Sequence, residues 1–138
     1  MKPVRKVMVV DDSQLMHSLY ESLLPDMDIV HAYDGLDALD QLTIHPDTDL
    51  ILLDLKMPNM GGVEFLQRSR RIPEVARIPV IMVTSENESQ DVRRALGAGA
   101  RAYLHKPFRR AELTQVLDRV LEEPGPSLED PSHHPIRI

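Results

Sequence analysis

The chain of 138 residues contains no cysteine, which excludes disulfide frameworks and thiolate metal sites. It also lacks any apolar run near the roughly 18 residues that a membrane-spanning helix needs, so no membrane insertion is expected. The opening stretch MKPVRKVMVV runs straight into apolar, β-branched sequence. A secretory leader would show a longer apolar region and a small-residue cleavage site, so a cytosolic protein is expected. An excess of basic charge is missing too, with a formal net charge of −6 and a pI ≈ 5.4. A broad electrostatic footprint for nucleic acid is therefore not expected, although a local basic patch is compatible with these values. Gly97-Ala98-Gly99 lacks the context of a nucleotide-binding loop. The six histidines, adjacent His133 and His134 included, show no ligand spacing within the folded region.

What is present is the composition of one soluble domain, 42% hydrophobic and 28% charged, long enough for a real core. Apolar runs at residues 7–10, 27–32, 49–55, 79–84 and 102–104 read as strands. Between them lie helical patterns. Ser13 or Asp12 caps the first, which carries Leu15, Met16, Leu19 and Leu23 and ends at Pro25. Asp34-Gly35 opens the second, with Leu36, Leu39 and Leu42 on one face. Gly61-Gly62 opens the third, with Val63 and Leu66. Val92, Ala95 and Leu96 mark the fourth. Leu113, Val116, Leu117, Val120 and Leu121 mark the fifth and clearest amphipathic helix.

Strand and helix alternate five times, which implies parallel strands joined by right-handed crossovers with helices on both faces. The expectation is a single-domain α/β fold, doubly wound (βα)5 and flavodoxin-like, with sheet order 2-1-3-4-5 and the first, third and fourth strands central. The domain covers residues 1–122. Residues 123–138, with Pro124, Pro126, Pro131 and Pro135 and little to bury, read as a disordered tail.

In such a sheet the ligand crevice lies beyond the carboxyl ends of the strands, at the switch in strand order. Asp11 and Asp12 end the first strand, Asp54 the third and Thr84 the fourth, and Lys106 follows the fifth. Singly, Asp12 reads as a helix cap, Asp54 as a surface acid, Thr84 as an ordinary strand residue and Lys106 as a solvated cation. Jointly, at one rim, they read as a site. Three neighbouring carboxylates repel one another unless a cation is present. Mg2+ suits oxygen donors and keeps several waters. A carboxylate oxygen on Asp54 can then accept a phosphoryl group, with Lys106 and Thr84 stabilising the transferring charge.

With these residues in place, the sequence resembles a response-regulator receiver domain, the phospho-accepting half of bacterial two-component signalling and phosphorelay. The likeness runs over about residues 5–121 and rests on VMVVDDS, ILLDLKMPNMGG, IMVTS and AYLHKPF, in that order. It implies that Asp54 is the phosphorylated aspartate. Asp11, Asp12 and Asp54 would hold Mg2+, or Mn2+ as a substitute, with the backbone carbonyl of Lys56. Thr84 and Lys106 would contact the phosphoryl group, Pro107 would follow a cis peptide, and Tyr103 would be an aromatic switch that turns inward on phosphorylation. The donor would be a sensor histidine kinase or a histidine phosphotransfer protein, and a downstream protein effector would read the change. The chain would be a signalling phosphoacceptor with self-catalysed phosphorylation and dephosphorylation rather than an enzyme. Lys56 and Glu86 would flank the path of a hydrolytic water and set the signal's lifetime.

Four positions depart from the family pattern. Gly61 stands where an aspartate cap is common, Ser85 where alanine is commonest, and Arg109-Arg110 opens the last helix where Ser or Asp is usual. Rival readings are weaker. An aspartyl phosphatase using magnesium commonly has alternating rather than adjacent aspartates on its first strand. A flavin module would want a Ser/Thr/Gly-rich loop where this chain has two acids. A phosphorylation-independent interaction module would not need every one of these residues.

Overall fold

The computed structural model describes residues 6–85 and 90–122, together with the backbone of 136–137. The elements are β1 (Lys6–Val10), α1 (Gln14–Leu23), β2 (Asp28–Ala32), α2 (Gly35–Ile44), β3 (Leu50–Leu53), α3 (Gly62–Ser69), α4 (Pro73–Ala76), β4 (Val80–Thr84), α5 (Gln90–Gly97), β5 (Ala102–His105), α6 (Arg110–Glu122) and β6 (Ile136–Arg137). All strand pairs are parallel, in the order β2-β1-β3-β4-β5-β6. The first five follow the expected 2-1-3-4-5 order, with β1, β3 and β4 inside the sheet.

The period of two along each strand builds both cores. Val7, Val9, Leu50, Leu52, Ile81, Val83 and Leu104 face one side, where α1 and α6 contribute Tyr20, Leu113, Val116, Leu117 and Val120. Met8, Val10, Ile51, Leu53, Val80 and Met82 face the other, where α2, α3 and α5 contribute Ala38, Leu42, Phe65, Leu66, Val92 and Ala95. A strand such as β3 is therefore buried on both faces along its whole length. Each fully buried Leu or Ile contributes about 2 kcal/mol.

The helix starts follow local chemistry. Ser13 Oγ accepts from the Met16 N–H (3.2 Å) and Asp34 Oδ1 from the Asp37 N–H (2.8 Å), so each hydroxyl or carboxylate satisfies an orphan donor of the first turn. Gly61 caps α3 without a side-chain bond. At α6 the missing cap is offset by Glu112, whose Oε1 accepts from the Arg109 N–H at 2.8 Å, half of a capping box.

Three features differ from the sequence reading. In α1 the buried residues are His17 and Tyr20, while Leu15 is 78% and Leu19 39% exposed. The helix has two apolar stripes, and the larger Tyr20 ring, stacked with Phe108 at 6.0 Å between centroids, occupies the space over the sheet. The short α4 was not anticipated; Pro73 suits a first helical position. The tail was expected to lack regular structure, yet Ile136 and Arg137 pair with Ala102 and Tyr103 of β5. Composition speaks to whether a segment can build a core; an unpaired strand edge offers backbone donors and acceptors to any passing segment. Residues 123–135 lie outside the described residues.

Candidate functional site

Register places the acids. Val10 of β1 lies beside Leu53 of β3, so the residues that follow, Asp11 and Asp54, emerge as neighbours at the carboxyl edge. The Asp54 N–H donates to the Val10 carbonyl (2.9 Å) and the Asp11 N–H to the Ala32 carbonyl (3.1 Å). One carboxylate oxygen from each of Asp11, Asp12 and Asp54 lies within 4.8 Å of the others. Lys106 arrives from β5. Its Nζ donates to Asp11 Oδ2 at 2.7 Å and Asp54 Oδ2 at 3.4 Å, and its N–H donates to the carbonyl of buried Thr84 at 2.9 Å. The Lys106–Pro107 peptide is cis, as the resemblance implies.

The two inner acids are fixed in the same manner. Asp11 Oδ1 accepts from the Ser13 N–H (2.9 Å) and Asp54 Oδ1 from the Leu55 N–H (2.8 Å). Each thus presents its Oδ2 to the shared ammonium. Burial pushes the Asp54 carboxyl above the usual carboxylate range; the Lys106 ammonium works against that push and the Asp11 carboxylate adds to it. The donor set fits a hard dication. It is all oxygen, carries more negative charge than one ammonium offsets, and leaves Asp12 open to solvent on its outer side.

Gly62 lets the loop after Asp54 fold back. Its N–H donates to the Leu55 carbonyl at 2.8 Å, and a Cβ at this position would strike the Asp54 carbonyl oxygen. Asn59, the described non-glycine residue with positive φ (66°), donates to Asp34 Oδ2 at 2.6 Å and so ties the same loop to α2.

The remaining sequence-predicted residues are placed as follows. Lys56 lies exposed on the loop after Asp54. Glu86 lies outside the described residues, so its pairing with Lys56 does too. Tyr103 is 3% exposed and belongs to the core beneath α5. The ring is already inward, whereas the sequence reading had it turn inward on phosphorylation. Beside Lys106 lies a hollow of about 340 Å³ lined by Met16, Leu19, Ser85, Lys106, Pro107 and Phe108.

Sequence reasoning missed two histidines. His17 is 2% exposed; its Nε2 lies 2.7 Å from the Asp11 carbonyl and its Nδ1 2.6 Å from His31 Nδ1. Burial lowers the His17 pKa, the Asp11 carbonyl opposes that, and His31 adds to it. The available signal was the spacing of His17, Tyr20 and Leu24, which forms a second helical stripe.

A family model described as the response regulator receiver domain matches residues 7–118. Chemotaxis protein CheY-3 of Vibrio cholerae is 35% identical over 120 residues, covering 85% of this chain and 92% of that protein. The solved structure of Vibrio cholerae CheY4 shares 31% identity with a TM-score of 0.78, covering 86% of this chain and 99% of that one. The receiver domain of a sensor histidine kinase from Pseudomonas aeruginosa, solved with a magnesium ion coordinated in its active-site cleft, shares 27% identity with a TM-score of 0.79 over 88% of this chain and 100% of that one.

Proposed function

The chain belongs to the response regulator receiver family, and from that premise we propose that it accepts a phosphoryl group on Asp54 in a reaction dependent on Mg2+ and thereby switches a protein-binding surface. The observation that carries this reading is the meeting of three acid oxygens with one ammonium at the carboxyl edge of the sheet.

Asp54 Oδ2 attacks phosphorus, forming the O–P bond as the bond to the donor's imidazole nitrogen breaks and its electron pair leaves with that nitrogen. Oδ1 stays on the Leu55 N–H, which fixes the attacking carboxylate. Lys106 follows the negative charge from the carboxylates to a phosphoryl oxygen, and the Thr84 hydroxyl donates to another. Asp11, Asp12, Asp54 and the Lys56 carbonyl would hold Mg2+, or Mn2+ in its stead. When bound, the dication neutralises charge on the transferring group. A histidine kinase or phosphotransfer protein is the proposed donor; exposed Leu15 and Leu19 and the apolar hollow beside Lys106 give a protein donor a surface to rest on. Incubation with acetyl phosphate is the test: the intact mass is expected to rise by one phosphoryl group with Mg2+ present. An unchanged mass under saturating donor ends the proposal.

The switch follows from differential contacts. Phosphoryl bonding to Thr84 favours the buried pose of Tyr103 over an outward one, reshaping the surface of α5, β5 and α6 for a protein effector. Tyr103→Ala is expected to bind a protein effector equally with and without phosphorylation; a variant that keeps the wild-type difference refutes the switch. Lifetime is the role proposed for Lys56 with Glu86, which hinder the hydrolytic water. Lys56→Ala is then expected to release phosphate several-fold faster, about 3-fold for roughly 0.6 kcal/mol. A release rate equal to wild type removes Lys56 from that role.

A further inference from the structure

Behind the acids runs a line of polar side chains that phosphoryl transfer does not use. It starts at the Asp11 carbonyl, passes through His17 and His31, and reaches the surface at Glu21. The contacts are His17 Nε2 to the Asp11 carbonyl at 2.7 Å, His17 Nδ1 to His31 Nδ1 at 2.6 Å, and His31 Nε2 to Glu21 Oε1 at 2.7 Å.

Hydrogen-bond chemistry fixes each ring. A carbonyl only accepts, so His17 Nε2 carries a hydrogen and donates to it. One hydrogen lies between His17 Nδ1 and His31 Nδ1, so the two rings are paired whichever nitrogen carries it. His31 Nε2 in turn lies 2.7 Å from Glu21 Oε1, which holds the outer ring from the surface side. The Tyr33 ring lies against His17 with centroids 4.3 Å apart and planes tilted by 37°. His17 is therefore held in position and orientation, with Nε2 donating to the Asp11 carbonyl.

The carbonyl that His17 grips belongs to the peptide linking Asp11 to Asp12. The opposite end of Asp11 is tied through its N–H to Ala32, at 3.1 Å. Rotation of that peptide would swing both carboxylates away from Asp54. We infer that His17, locked through His31 to Glu21, is a positioning residue that aims the Asp11 and Asp12 carboxylates at a common cation. This rests on the proposed Mg2+ site. Outer groups that orient metal ligands commonly matter about 10- to 100-fold in metal affinity.

The experiment measures Mg2+ dissociation constants of the unphosphorylated protein by titration calorimetry, with imidazole 15N spectra alongside. His17→Leu keeps bulk and removes the donor; it is expected to bind Mg2+ at least about 10-fold more weakly. His17→Gln places an amide nitrogen near the lost Nε2 and is expected to restore most of the affinity. Glu21→Gln, an exposed change, is expected to weaken binding less than the leucine variant and to alter the His31 spectrum. In wild type, His17 is expected to carry a hydrogen on Nε2. A leucine variant that melts lower yet binds Mg2+ as wild type does overturns the inference, since a packing role alone predicts that result. Where the leucine variant does not fold, Glu21→Gln decides: wild-type affinity with unchanged histidine spectra overturns the relay. A wild type that binds no Mg2+ strikes the proposed site itself and the inference with it, whereas a wild type that binds beside variants that bind equally well strikes the inference alone.

Discussion

Replacing Asp54 with alanine is expected to abolish phosphoryl uptake from acetyl phosphate, a loss on the order of 10⁴-fold or more for removal of a nucleophile. Neither neighbouring acid is expected to substitute. Asp11 is buried with Oδ1 held by the Ser13 N–H and Oδ2 by Lys106, and Asp12 lies at the exposed outer edge. Intact-mass measurement of wild type and variant side by side checks this, and a variant that still gains one phosphoryl group moves the acceptor elsewhere. The same position has a stability consequence that asparagine reveals. Burial raises the Asp54 pKa in the folded state. The contribution of this group to stability is therefore full below its unfolded pKa and is lost as pH rises through the folded value. Asparagine does not titrate. In buffer free of divalent cations, Asp54→Asn should exceed wild type by about 1–2 kcal/mol at pH 7, or about 4 °C per kcal/mol in melting temperature. The gap should shrink as pH falls toward the ordinary carboxylate range. Adding Mg2+ should narrow it at pH 7 by binding the folded wild type. A gap that does not change with pH contradicts the burial argument.

Gly62→Ala is the second large effect. Its Cβ would strike the Asp54 carbonyl oxygen, with the Leu55 Cα 3.0 Å and Cδ2 3.1 Å away. The first two neighbours are backbone, so they cannot turn aside as a side chain tip can. Relief requires moving the start of α3 or the loop after Asp54. A cost of about 2–3 kcal/mol is expected, read as a lower urea midpoint, and phosphorylation should slow because the displaced loop carries the Leu55 N–H that orients Asp54. Gly97, at the end of α5, is the control: a Cβ there meets nothing within 4 Å, so Gly97→Ala should change stability by less than about 1 kcal/mol. Equal midpoints for the two variants would refute the clash.

The acids, Thr84 and Lys106 were legible because all stand at or just past the ends of apolar runs, and strand direction carries those ends to one edge. The parallel fold was legible for the same reason: unbroken runs such as Leu50–Leu53 have no polar face to turn outward. The first helix was harder. Leu15 and Leu19 look like a core stripe, but Tyr20 and Leu24 fill the sheet side, and hydrophobicity alone does not choose between two apolar faces. His17 and His31 lie 14 residues apart on different elements, so no local spacing links them. The pose of Tyr103 was not legible either, because whether a strand aromatic lies inward depends on the packing of α5 above it. Nor could composition reveal that Ile136 and Arg137 would find the open side of β5.

The cluster is also a matter of timing. Lys106 stands 95 residues from Asp11 and 52 from Asp54, so the ammonium that touches both acids is the last of the three to leave the ribosome. A nascent chain carries its carboxylates well before their counter-charge, and long-range partners of this kind settle late. On the proposed function, a half-made chain, or a proteolytic fragment cut before β5, would carry the acids without their cation and is expected to take up no phosphoryl group.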